Sequence, residues 1–82
     1  MRGGDDPAKL VSAEDRQARI RAALDKLPYS YRAPLTLRFY NDLPYQEISE
    51  ILSIPEGTVK TRIHRGKAML KETYEREERD PA

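Results

Sequence analysis

The sequence predicts a small all-α domain of four helices, closing in a C-terminal helix-turn-helix with winged elements absent. Three observations carry that expectation. Apolar residues recur at helical spacing in successive segments, no stretch alternates with the two-residue period of a strand, and prolines at 28, 44 and 55 punctuate the segments. At 82 residues the chain suits one domain with a modest core.

The opening MRGGDDP, rich in glycine and acid, reads as the start of a flexible tail or linker over residues 1–11. A first helix is expected from about Ser12 to Lys26. Ser12 is its N-cap, Glu14 and Asp15 suit the positive helix start, and Ile20, Leu24 and Leu27 form its apolar stripe. Leu27-Pro28 ends it, because the residue before proline resists the α conformation. A second helix should run from Ser30 or Tyr31 to Tyr40, burying Leu35 and Phe39. Pro34 is awkward there: tolerable in the first turn, any deeper it removes a hydrogen bond and kinks the helix. Asn41-Asp42 makes the next turn, and Pro44 fits the first position of the following helix. The folded domain is expected over 12–74. Residues 75–82, charged and ending Asp-Pro-Ala, are expected to fray.

Between Tyr45 and Leu70 the pattern becomes specific. Ile48, Ile51 and Leu52 keep helical spacing, Ser53-Ile54-Pro55 breaks it, and Val59, Ile63, Gly66 and Leu70 resume it. At 100° per residue the last four lie within roughly 60° of one another and must face the core. Gly57, Lys60, Thr61, His64, Arg65 and Ala68 then fall on the opposite side, with Thr58 at its edge. Long cations beside a hydroxyl and an imidazole suit the stacked base edges and phosphates of a DNA major groove. A solvated helix face is the plainer alternative, but such a face mixes charge signs. Here five basic residues stand between Lys60 and Lys71 with no acidic one.

Net charge is only +1, so any nucleic-acid affinity must come from that local patch. Glu72, Glu75, Glu77, Glu78 and Asp80 follow it directly, and phosphate contact should fade before the helix ends. The chain has no cysteine, hence no disulfide framework and no thiolate metal site, and a cytoplasmic setting fits. No apolar run reaches the length of a membrane span, so no membrane insertion is expected. With one histidine and no phosphate-binding glycine loop, neither an enzyme nor a metal or other cofactor is expected. Glu47 and Glu50 read as solvated carboxylates.

The combination of ALDKLP (23–28), YR-x-P-L-x-L-R-F-Y (31–40), LPYQEISEIL (43–52) and GTVKTRIHRGK (57–67) resembles region 4 of a sigma-70 family sigma factor, most closely the extracytoplasmic-function (ECF) group. The resemblance covers about residues 16–72. It implies a domain that reads the −35 element of double-stranded promoter DNA while held on RNA polymerase core by the flap of the β subunit. By position, Lys60, Thr61, His64 and Arg65 would read bases, and Thr58 and Arg62 would contact the DNA backbone. Arg38 and Tyr45 match family positions that touch phosphates, on resemblance alone. The chain departs from the family at Pro44, where Ser or Thr is usual, and at Ser53, where Gly is frequent. Pro44 forfeits a side-chain cap, and Ser53 brings a Cβ into a turn that often needs positive φ. Nothing here corresponds to region 2, so the chain is expected to be a fragment of a longer sigma factor or a stand-alone relative.

Two other readings compete. A LuxR-type output domain shares the four-helix layout and a GTVK recognition helix, although LRFYNDLPY is unlike that group. The resemblance also implies a possible anti-sigma factor as partner. Five tyrosines, among them Tyr29, Tyr31 and Tyr40 around the second helix, could furnish such an interface or simply edge the core.

Overall fold

The structure, a computed structural model, describes residues 12–79. The expectations for 1–11 and for 80–82 lie outside the described residues. Four helices follow in order: α1 (Ala13–Asp25), α2 (Tyr29–Phe39), α3 (Tyr45–Leu52) and α4 (Glu56–Arg79). No strand occurs among the described residues.

Ser12 caps α1 as its sequence position suggests, its Oγ accepting the Asp15 N–H at 3.0 Å. Pro28 separates α1 from α2, and its carbonyl accepts the first two turn bonds of α2, from Tyr31 and Arg32. Pro34 is the sixth residue of α2, deeper than a first turn, so the bond that position would make to Ser30 is missing. The helix is nonetheless continuous, and the Pro34 ring is fully buried, so its packing offsets the lost bond. Pro44 is the N-cap of α3, one place earlier than expected, and the cap carries no side-chain hydrogen bond.

The core is small: Leu24, Leu27, Leu35, Ile48, Val59 and Ile63, with Tyr31, Leu37, Leu43, Tyr45, Leu52, Ile54, Met69 and Leu70 packed around it. Helix α4 is the axis of the fold and packs against the other three. Gly66 lets α2 approach it closely: a Cβ there would stand 2.9 Å from Leu35 Cδ1 and 3.5 Å from Tyr31 Cβ.

Three expectations are corrected. Phe39, expected in the core, is 56% exposed. It is the last residue of α2, where the helix has run past α4's buried stripe, and its ring lies under the Lys67 ammonium, 5.7 Å from the centroid. Ile51, counted on the apolar stripe of α3, is 57% exposed, because that eight-residue helix turns Ile48 fully and Leu52 partly inward and leaves Ile51 at the edge. Finally, residues 75–79, expected to fray, are helical in the structure, where α4 runs on through Arg79. Glu77 and Glu78 pair with Lys26 and Arg19 of α1, giving the acidic end a partner that the local sequence does not reveal.

Candidate nucleic-acid interface

The site is built on the junction of α3 and α4. Ser53 ends α3 in the left-handed region (φ 57°, ψ 45°), where an L side chain is uncommon. Ser49 holds that turn from both ends. Its carbonyl accepts the N–H groups of Ser53 and Ile54, while its hydroxyl donates to the Ile54 carbonyl at 2.6 Å. Pro55 follows, and its carbonyl accepts the N–H groups of Thr58 and Val59 to start α4. A positive-φ serine is thus tolerated because a neighbouring serine ties down the carbonyl just beyond it.

Val59, Ile63 and Gly66 point into the core, which fixes the rotation of α4. Gly57, Lys60, Thr61, His64, Arg65 and Ala68 are all exposed, as the helical geometry requires. Thr58 and Arg62 are half-buried at one flank. On the other flank Lys60, His64, Lys67 and Lys71 recur at i, i+4, i+7 and i+11, forming a basic ridge about 16 Å long. Lys67 and Lys71 enter the sequence pattern as charge and are not among the residues expected to meet DNA. Their four-three-four spacing from Lys60 was the available signal.

Arg38 and Tyr45, separated by seven positions, come together at the elbow between α2 and α3. The Arg38 guanidinium lies 5.5 Å from the Tyr45 ring centroid and donates through Nη1 to the Leu43 carbonyl at 3.1 Å. The Leu43 N–H in turn donates to Leu37, across a bend in which Asp42 also takes positive φ. Arg38 therefore braces the elbow. Its remaining N–H groups, in a fork of five donors, leave capacity for a second partner.

A second surface adjoins the flank of α4 that carries Lys67 and Lys71. Ile20 and Leu24 of α1, Leu35 and Phe39 of α2, and Leu70 and Tyr74 of α4 line an open apolar groove. Arg16, Lys67 and Lys71 stand at its rim. This groove needs α1 to cross α4, a long-range arrangement with no local sequence signature.

The order and lengths of the four helices, the turn held between Ser49 and Ser53, and the basic outer face of α4 agree with one description. The family described as "Sigma-70, region 4" matches residues 17–70. The chain belongs to the sigma-70 region 4 family. Among proteins similar to this region 4 domain are the ECF RNA polymerase sigma factor SigW of Bacillus subtilis, 43% identical over 65 residues, and the ECF RNA polymerase sigma factor SigE of Mycolicibacterium smegmatis, 38% identical over 67. The matches cover 79% and 82% of this chain but 35% and 26% of those proteins. The ECF RNA polymerase sigma-E factor of Escherichia coli is 34% identical over 65 residues, 79% of this chain and 34% of that protein. The chain thus spans about a third of the length of the curated relatives it matches. Membership separates it from the LuxR-type alternative, and the family is one of DNA-binding transcription-factor domains, not of enzymes.

Proposed function

We propose that this region 4 domain reads the −35 element of promoter DNA for an alternative sigma factor, directing RNA polymerase to its promoters. In this reading Lys60, Thr61, His64 and Arg65 face base edges in the major groove, while Thr58, Arg62, Arg38 and Tyr45 meet the sugar–phosphate backbone. The observation that carries it is the outer face of α4: exposed, free of carboxylates from Lys60 to Lys71, and rotationally fixed by Val59, Ile63 and Gly66. Arg38 and Tyr45 act as one preassembled unit, since each orients the other before any phosphate arrives.

Three or four cations on phosphate make a weak binder whose affinity falls about 10²-fold between about 50 and 200 mM salt. Such a domain needs a holder. The apolar groove between α1, α2 and α4 supports the β flap of RNA polymerase core as that holder, and the setting is then the bacterial cytoplasm. The same exposed groove, edged by Phe39 and Tyr40, favours a second occupant at other times, an anti-sigma factor.

The test is a footprint on promoter DNA with and without polymerase core. Protection near −35 that needs core, and that Arg65→Ala or Lys60→Ala removes, is the expected result. A tight footprint by the isolated domain, as a dimer on a palindrome, would sink the reading.

A further inference from the structure

The two glycines of α4 have opposite explanations. Gly66 has a reason inside the fold, since a Cβ there would press on fully buried Leu35 at 2.9 Å. Gly57 has no such reason. It is exposed, its φ is not positive, and a Cβ built on it meets nothing within 4 Å. A glycine inside a helix weakens that helix relative to alanine, because it surrenders more backbone freedom on folding. Nothing inside the fold therefore accounts for the missing side chain at 57.

The position of Gly57 suggests what does. It lies in the first turn of α4, three and four residues before Lys60 and Thr61, so its open space adjoins the side chains of both. Thr58, Thr61, Arg62 and Arg65 share a shallow polar cleft with it. In a recognition helix this first turn enters the groove most deeply.

We infer that Gly57 is a clearance residue: the DNA surface packs directly against its Cα, and the missing side chain sets how deeply α4 seats. This rests on the DNA-reading function proposed above. Any side chain at 57 holds the helix off the duplex and lengthens the contacts of Lys60 and Thr61, without touching the fold or removing a cation.

The test uses the whole 82-residue chain as wild type, Gly57→Ala and Gly57→Leu, with the duplex that the wild type selects most strongly from a randomised pool. Thermal melting and fluorescence anisotropy are read on the same samples. The melting temperature should rise by about 2–5 °C for Gly57→Ala. Affinity should fall by about threefold for alanine and by tenfold or more for leucine, and the dependence of log Kd on log salt should keep its slope because no phosphate-pairing cation has changed. Unchanged affinity in Gly57→Leu overturns the inference while leaving the DNA-reading function standing. A lower melting temperature in Gly57→Ala also overturns it, by revealing an internal reason for the glycine. If the folded wild type selects no duplex even at about 50 mM salt, where its few phosphate contacts are strongest, the functional reading fails and the inference with it.

Discussion

From Glu56 to Leu70, α4 buries Val59, Ile63 and Gly66 and presents an outer face with no carboxylate after Glu56. From Lys71 to Arg79 the same helix buries no residue fully, and four carboxylates stand among three cations. The first half does two jobs through opposite sides: one side fixes the fold and, in doing so, aims the other. The second half is fastened to α1 by solvent-exposed ion pairs and by the groove residue Tyr74. Surface ion pairs contribute little each, whereas a buried aliphatic side chain contributes several-fold more. Substitutions should therefore be felt very unequally along one continuous helix.

The largest effect is expected at Ile63, 3% exposed in the core. Ile63→Ala should lower unfolding free energy by about 2–5 kcal/mol in a denaturant titration; a negligible change would mean that α4 is rotated from its described register. Next comes Gly66→Ala. Its Cβ would press on fully buried Leu35 at 2.9 Å, and overpacking outweighs the helix propensity gained, for a net loss of about 1–2 kcal/mol. A more stable variant would show that Leu35 has room to yield. Arg65→Ala should leave stability unchanged and weaken promoter binding about tenfold, about 1.4 kcal/mol; equal losses in both would merge the two sides that the comparison separates. Ser49→Ala removes the hydroxyl bond to Ile54 and should destabilise by about 0.5–1.5 kcal/mol, with Ser53→Gly restoring much of it. No rescue would mean that positive φ at Ser53 is not where the strain sits. The smallest effect belongs to Glu77→Gln, which breaks the pair with half-exposed Lys26. It should change stability by under about 1 kcal/mol and less still in high salt.

What was legible in the sequence follows the range of the interactions. The Ser12 cap, the Pro28 boundary and the inward stripe of Val59, Ile63 and Gly66 depend on neighbours within a turn or two, and periodicity reads them directly. The outward row from Lys60 to Arg65 was legible for the same reason, as the complement of that stripe. Phe39 misled because its spacing is apolar but its helix ends where the core does. Residues 75–79 misled because the carboxylates that look like a fraying end are partnered by α1, more than fifty positions away. Ser49 was invisible as a turn-holder: an exposed-looking serine on α3 gains its role only once the chain bends back at Ser53. The groove depends on three helices at once, and no single segment encodes it.

The continuity of α4 has a mechanical consequence. Twenty-four residues make a rod about 36 Å long, and α2 crosses it at Gly66, where a Cβ would stand 2.9 Å from Leu35 Cδ1. The groove residues Leu70 and Tyr74 lie on one side of that crossing, and Gly57 with the exposed row from Lys60 to Arg65 on the other. A tilt of about 10° there would swing Gly57 by roughly 2 Å, enough to make or break a hydrogen bond to a base. Under the proposed function, an occupant of the groove that tilted α4 would move the first turn of the helix without any change in the helix itself.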